Sequence, residues 1–207
     1  MLRRMILGAC VRPLELYRVA TFLRAYRQAQ EALRAGGIPS SQLEVACLRT
    51  GADPEWAAAV VEEWVDSRPL SLLGPAIYPG LRDFLRAARG AGVRLALFSD
   101  YPARRKLAAL GLESSFDVVC CASDPDISAF KPSPKGLLRA LWRLDVPPGE
   151  AVYVGDRPEV DAEAARRANM FAWILARRRG SGGAHWSSFR GYDDLSRKLN
   201  LPFRDER

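Results

Sequence analysis

Apolar residues recur at intervals of three and four positions between residues 14 and 35, the spacing that places them on one face of an α-helix. Two consecutive glycines follow this stretch, and glycine is typical of a helix end. A second helix is predicted over 41–49. A third begins at Asp53 and Pro54, a capping residue followed by proline in the first turn, and continues through Trp64. The first part of the chain is therefore predicted to be purely helical.

After Ile77 the pattern changes to short apolar runs that alternate with helical stretches. The predicted helices cover 81–90, 103–110, 133–144 and 159–168, and the predicted strands cover 93–98, 116–121, 151–155 and 171–175, the last strand. This alternation is typical of right-handed βαβ units, in which helices cover both faces of a parallel sheet. The predicted fold class is α/β, with a helical domain over 1–75 and a parallel-sheet domain over 76–207.

Composition and charge narrow the class of protein further. The chain of 207 residues is 48% hydrophobic and 27% charged, which is typical of a folded globular protein and excludes a disordered one. Its net charge of +7 comes from 27 arginines and four lysines, and these are dispersed along the chain. Because no recognition module or basic stripe accompanies the charge, we expect no nucleic-acid partner.

No apolar run approaches the roughly 18 residues of a membrane span, so no membrane partner is expected. The seven apolar residues from 5 to 11 include Cys10 and resemble a lipoprotein signal, but they lie at the short end of the range for such signals. The four cysteines lack metal-ligand spacing, and one histidine cannot build a histidine-rich metal site. We therefore expect a cytoplasmic protein with reduced thiols, in which Cys120 and Cys121 are core residues.

Candidate chemistry lies where the predicted strands end, because ligands of parallel α/β sheets bind at the carboxyl ends of the strands. Ser99, Lys131 and Asp156 follow three strands, and Asp161 comes five residues after Asp156. A hydroxyl at a helix start can bind a phosphate oxygen, a lysine neutralises a phosphoryl group, and paired carboxylates hold Mg²⁺. Each residue alone is also typical of a helix cap or a first-turn acid. Their order and spacing together favour phosphoryl transfer.

Three segments of the chain are similar to the second, third and fourth motifs of the haloacid dehalogenase-like (HAD) hydrolases. They are Leu-Ala-Leu-Phe-Ser-Asp-Tyr-Pro around Ser99, Phe-Lys-Pro-Ser-Pro around Lys131, and Val-Tyr-Val-Gly-Asp-Arg-Pro-Glu-Val-Asp from Val152 to Asp161. The resemblance covers about residues 77–176. The helical segment before it resembles the small α-helical cap of that family.

This resemblance implies a Rossmann-like core and a Mg²⁺-dependent phosphatase that hydrolyses a small phosphorylated metabolite through an aspartyl-phosphate. By the same resemblance, Ser99 and Lys131 would bind the phosphate and Asp156 would ligate the metal. Asp161 would ligate the metal or orient a ligand. Two acids in the last motif favour a metal-dependent phosphatase over the metal-free dehalogenases of the family.

The first motif of the family, a strand followed by Asp-x-Asp, does not occur where the resemblance would place it, because no aspartate precedes Asp53. Its first Asp is the nucleophile and its second the general acid and base. Asp124, Asp126 and Ser128 imitate the pattern, but they lie between the second and third motifs, where the family has an ordinary loop. We interpret that segment as a decoy, that is, a chance similarity to the first motif without its catalytic role.

Two explanations of the missing motif remain open. In the first, the sequence is truncated and residues upstream of Met1 supply the strand; we favour this one because residues 2–35 are typical of the first cap helices. In the second, Met5 to Val11 take the place of the strand, which gives a non-catalytic HAD-like protein that binds phosphate or a partner. Under either explanation we expect the 207-residue chain to bind Mg²⁺ weakly and to lack phosphatase activity.

Overall fold

The computed structural model describes residues 13–36, 41–176 and 182–202. The chain divides into two units, one within Met1–Pro75 and the other within Ala76–Arg207. Among the residues described, no helix has both the length and the apolar character needed to span a membrane. The apolar stretch at 5–11 lies outside these residues.

Among the residues described, the helical unit contains three α-helices and a more irregular helical segment. The α-helices are α1 (Pro13–Gly36), α2 (Gln42–Thr50) and α3 (Pro54–Val61), followed by a π-helical segment (Glu62–Ser67) and 3₁₀ turns (Arg68–Leu72 and Gly74–Ala76). Asp53 caps α3 as predicted, since its carboxylate accepts a hydrogen bond from the Trp56 amide at 2.9 Å. The third predicted helix therefore starts where expected but widens into π-helical turns after Val61.

Side chains of α1 and of the later helices form the core of this unit. Phe22, Ala29, Ala46 and Trp64 are all buried and belong to one apolar cluster. The start of α2 is fixed by a capping box: the Ser41 hydroxyl accepts from the Glu44 amide, and the Glu44 carboxylate accepts from the Ser41 amide. Packing and capping together stabilise the helices of this unit.

The second unit contains the β-strands and the helices that connect them. Its strands are β1 (Ala96–Ser99), β2 (Val118–Cys121), β3 (Val152–Gly155), β4 (Phe171–Leu175) and β5 (Trp186–Phe189). Its α-helices are α4 (Leu81–Gly90), α5 (Arg104–Leu110), α6 (Lys135–Leu144), α7 (Glu163–Arg167) and α8 (Tyr192–Lys198), with a π-helical turn, Pro158–Ala162, directly before α7. The predicted α/β class with parallel strands is confirmed.

The strands of the described residues pair in two parallel groups. β1 pairs with β2, so that Ser99 lies opposite Cys121, and β3, β4 and β5 pair in that order. Within the described parts of the chain, β1 and β3 each have a strand neighbour on one side only. Each therefore has a row of backbone groups with no ladder partner among the residues that the structure describes.

Alternate residues of the strands belong to two different apolar clusters. Phe98 and Cys120 pack with α6 and α7, whereas Leu97 and Val119 pack with α4, α5 and α8. Because successive side chains point to opposite faces of a strand, helices cover both faces of the strands, as predicted. Cys120 and Cys121 are both buried and free, as predicted for core residues.

The prediction that Phe171–Leu175 is the last strand is wrong, since β5 and α8 follow it. Strand β5 reads Trp-Ser-Ser-Phe, and two central serines do not give the apolar run that predicts a buried strand. Its position comes instead from parallel pairing with β4, which places Ser187 opposite Trp173.

Candidate functional site

The carboxyl ends of β1 and β3 meet at the side chain and backbone of Lys131. The Lys131 amide donates to Oδ1 of Asp100, the residue after β1, at 3.1 Å. The Lys131 ammonium donates at 2.8 Å to Oδ1 of Asp161, in the turn that follows β3. Lys131 therefore links the ends of two strands that do not pair with each other.

Ser99 is the last residue of β1 and lies directly before Asp100. Its Oγ accepts a hydrogen bond from the Tyr101 amide at 3.1 Å, which turns the chain at the end of the strand. The hydroxyl hydrogen is still available for donation, because a hydroxyl combines one donor with two acceptor positions. Ser99 thus lies at the carboxyl end of β1, as predicted. Its neighbour Asp100 accepts the hydrogen bond from the Lys131 amide.

The ammonium group of Lys131 is enclosed by polar and aromatic groups. It donates to Tyr153 Oη at 3.0 Å as well as to Asp161, and its side chain is only 13% exposed. The rings of Phe98 and Tyr153 lie with their centroids 5.9 and 5.6 Å from Nζ, within cation–π range. Burial by itself would lower the pKa of Lys131, but Tyr153, Asp161 and Asp100 raise it, so the group remains a cation.

Both carboxylate oxygens of Asp161 are used inside the protein. Oδ1 accepts from Lys131, and Oδ2 accepts from the backbone amides of Asp156 and Arg157, both at 3.0 Å. Burial would raise the pKa of Asp161, but the Lys131 ammonium and the two amides lower it, which keeps the group a carboxylate. Asp161 therefore shapes the loop after β3 and pairs with Lys131 at the same time.

Gly155 makes this arrangement possible. A Cβ added at Gly155 would lie 2.5 Å from Cβ and 2.6 Å from Cγ of Asp161, closer than atoms approach without displacement. The glycine thus allows the Asp161 side chain to fold back against the end of β3 and reach the amides of the loop.

Asp156 carries the exposed carboxylate of the site. Its pKa is raised, first by partial desolvation and then by the negative charge of Asp161 beside it. A cation placed against Asp156 would relieve this repulsion, and carboxylate oxygens are the ligands that Mg²⁺ prefers. Across 13–36, 41–176 and 182–202, no group of three or more His, Cys, Asp or Glu side chains is arranged to hold a metal ion. A complete metal site would need further ligands.

Sequence reasoning missed two members of this cluster, Asp100 and Tyr153. Asp100 accepts the Lys131 amide, and the Tyr153 hydroxyl lies 3.3 Å from Oδ1 of Asp161. Burial raises the pKa of Tyr153 to about 12, an effect that Lys131 partly opposes. One signal was available: Tyr153 is the one residue with a polar tip in Val-Tyr-Val-Gly, and it shares a strand face with Gly155.

The segment interpreted as a decoy has its own structural contacts. Asp126 Oδ2 forms ion pairs with Arg139 at 2.6 Å and with Arg143 at 2.9 Å. Asp124 Oδ2 accepts from the Cys121 amide at 3.1 Å. These contacts attach the loop after β2 to α6.

Comparisons with known proteins show which family and which fold the chain is similar to. Residues 69–169 match the haloacid dehalogenase-like hydrolase family. The chain is 36% identical over 151 residues to a glyceraldehyde 3-phosphate phosphatase of Methanopyrus kandleri, covering 70% of this chain and 63% of that protein. It is 33% identical over 150 residues to a phosphoserine phosphatase of Thermus thermophilus, covering 70% of this chain and 58% of that protein.

A crystal structure of a HAD phosphatase from Thermococcus onnurineus superposes with a TM-score of 0.59 at 26% identity, covering 92% of each chain. The matches to the two curated relatives span 63% and 58% of the lengths of those proteins. The fold and the family of residues 69–169 follow from these comparisons.

Proposed function

Because residues 69–169 form a haloacid dehalogenase-like hydrolase domain, we propose that the chain is part of a phosphatase that hydrolyses a small phosphorylated metabolite. The two curated relatives act, by their names, on glyceraldehyde 3-phosphate and on phosphoserine. Both compounds are small phosphomonoesters. We assign this substrate class, rather than one particular compound, to the chain.

The observation that carries the proposal is the fixed, partly buried ammonium of Lys131, which lies where the ends of β1 and β3 meet. A phosphoryl group bound there would meet a permanent positive charge in partly desolvated surroundings, where electrostatic stabilisation is strongest. Ser99, one residue before Asp100, would donate its hydroxyl hydrogen to a second phosphate oxygen. These two residues form the proposed phosphate site.

We assign Mg²⁺ to Asp156, with Asp161 beside it. The exposed Asp156 carboxylate suits a hard cation, whereas both oxygens of Asp161 already accept hydrogen bonds. Asp161 thus fits the role of orienting Lys131 and the loop better than that of a direct ligand. When bound, the metal would neutralise phosphate charge and orient the substrate.

The nucleophile would come from a further strand between β1 and β3. In the described part of the chain each of these two strands has one edge without a strand neighbour, and one parallel strand would satisfy both rows of backbone groups. We propose that upstream residues supply this strand together with its Asp-x-Asp, in preference to the alternative in which Met5 to Val11 fill the position without a nucleophile. The aspartyl-phosphate mechanism that the family resemblance implies requires such a carboxylate as the acceptor of the phosphoryl group.

We also propose a cytoplasmic location and no nucleic-acid partner. The free thiols of Cys47, Cys120 and Cys121 suit a reducing compartment, and the arginines are spread along the chain.

Hydrolysis of p-nitrophenyl phosphate tests the proposal. The 207-residue chain should show no turnover above buffer with Mg²⁺. The protein extended by the in-frame codons upstream of Met1 should hydrolyse it in a Mg²⁺-dependent manner. In the extended protein, Lys131→Ala or Asp156→Ala should abolish most of the activity, while Lys135→Ala, at an exposed lysine of α6, should retain it.

Two outcomes would overturn parts of this proposal. Hydrolysis by the 207-residue chain that is insensitive to Asp156→Ala would reject the assigned site. An upstream sequence without Asp-x-Asp, or an extended protein without activity, would reject the phosphatase and leave a non-catalytic protein that binds phosphate or a partner.

A further inference from the structure

Lys131, Asp161 and Tyr153 form a closed triangle of hydrogen bonds. The Lys131 ammonium donates to Asp161 Oδ1 at 2.8 Å and to Tyr153 Oη at 3.0 Å, and Tyr153 Oη donates to Asp161 Oδ1 at 3.3 Å. The phenol is therefore acceptor to the lysine and donor to the aspartate. Its hydrogen has one defined direction, because its two neighbours require opposite roles.

The triangle determines where the remaining hydrogen of the ammonium points. An ammonium group carries three donors in a tetrahedral arrangement, and two of them are used by Asp161 and Tyr153. The ion pair with Asp161 opposes rotation about the Cε–Nζ bond, and the second contact, in a different direction, raises the barrier further. The two contacts together hold the third donor in one direction.

The Tyr153 ring is held in place by the strand that carries it. Tyr153 lies in β3, where its backbone pairs with Ala172 of β4, and its ring packs against the cluster that contains Phe98. The strand and the packed ring support the hydroxyl more firmly than an exposed loop would. Asp161 is fixed as well, through the amides of Asp156 and Arg157.

We propose that Tyr153 is a positioning residue that locks the Lys131 ammonium in the orientation in which its third hydrogen reaches the phosphate. This inference rests on the proposed phosphatase function, since it assigns a residue to the phosphate site of that function. Tyr153 acts through Lys131 and does not itself touch the substrate. It should therefore affect phosphate affinity and ammonium mobility while leaving the fold unchanged.

Two measurements on the 207-residue chain test this, with inorganic phosphate as the probe. Nitrogen-15 NMR of lysine ammonium groups reports how fast their hydrogens exchange with water, and Lys131→Met assigns the Lys131 signal. Phosphate titration, followed by ³¹P or amide shifts, gives the dissociation constant. In Tyr153→Phe, hydrogen exchange of the Lys131 ammonium should become several-fold faster. Phosphate binding should become several-fold weaker, because the ammonium loses a contact that holds its third hydrogen in one direction.

Controls separate positioning from folding. Tyr17→Phe removes the same hydroxyl from a residue that is 74% exposed in the helical unit, and should change neither quantity. Urea unfolding of Tyr153→Phe should remain cooperative. If it does not, Tyr153→Met, which also lacks the hydroxyl but has a flexible side chain, must give the same changes in exchange and affinity.

The results distinguish this inference from the proposed function. Unchanged exchange and unchanged phosphate affinity in Tyr153→Phe would overturn the role of Tyr153 and leave the phosphatase proposal intact. Absence of phosphate binding by the wild-type chain, or binding that survives Lys131→Met, would reject the phosphate site itself. In that event the exchange measurement would still decide whether Tyr153 orients Lys131.

Discussion

The Asp161 carboxylate accepts the Lys131 ammonium at 2.8 Å on one oxygen and two backbone amides of the loop after β3 on the other. One side chain thus joins a residue 30 positions earlier in the chain to the turn in which it lies itself. Because Lys131 also binds Asp100 through its amide, this pair connects the ends of β1 and β3. The proposed phosphate site depends on the pair for its shape as well as for its charge.

Removing one partner of the Lys131–Asp161 ion pair should lower the stability of the protein. Lys131→Met leaves Asp161, whose side chain is 4% exposed, as a buried charge without its counterion, and should lower the free energy of unfolding by about 3 kcal/mol. In Lys131→Met/Asp161→Asn neither charge is left, and the side-chain carbonyl of the introduced asparagine can still accept the loop amides, so much of the loss should be recovered. Urea unfolding at pH 7 measures both. A double variant less stable than Lys131→Met would contradict the explanation.

Gly136 should not tolerate even one additional methyl group. A Cβ at this position would overlap the ring of Phe98, so Gly136→Ala should destabilise the protein by about 1–3 kcal/mol. Gly149→Ala is the control, because no atom lies within 4 Å of the added Cβ there, and it should be nearly neutral. Partial recovery in Gly136→Ala/Phe98→Leu, measured by thermal unfolding, would identify the ring as the cause. Equal stability of the two alanine variants would refute the prediction.

The capping box should stabilise the start of α2. Ser41→Ala removes the acceptor of the Glu44 amide and should cost about 1 kcal/mol, seen as faster hydrogen exchange in 42–50. Ser114→Ala changes an exposed serine of the other unit and serves as the matched control. If the amide hydrogens of α2 exchanged at the same rate in both variants, the capping box would make no measurable contribution to the stability of the helix.

The adjacent thiols should react slowly in the folded protein. Burial raises the pKa of both Cys120 and Cys121, with Arg143 partly opposing the effect at Cys120. A raised pKa means less thiolate at a given pH, so alkylation by iodoacetamide at pH 8 should be at least about tenfold slower than in urea. The rate should still rise above about pH 10, where an ordinary thiol is almost fully ionised and its rate has levelled off. Peptide mass spectrometry follows each residue, and equal rates with and without urea would contradict the burial argument.

The sequence predicted a strand accurately where the apolar run and the strand pairing cover the same residues. Strand β4 spans Phe171–Leu175, as predicted, because its apolar run is bounded on both sides and pairs along its whole length. Strand β1 begins at Ala96 rather than at residue 93. The reason is a side chain: Oδ2 of Asp117 accepts the Leu95 amide at 2.7 Å, in place of a ladder bond. The apolar pattern of the sequence does not show where a side chain takes the place of a backbone acceptor.

The sequence by itself determined what depends on neighbours a few positions away. Helical periods, the Asp53 cap, the α/β alternation and the positions of Ser99, Lys131, Asp156 and Asp161 after their strands all follow from local spacing. Only the tertiary structure decided that Tyr153 joins the site, that both oxygens of Asp161 are occupied, and that the strands pair as two groups. These features arise from hydrogen bonds between residues up to 30 positions apart. Their partners are set by how the strands and loops pack together, and the order of residues along any one element does not contain that information.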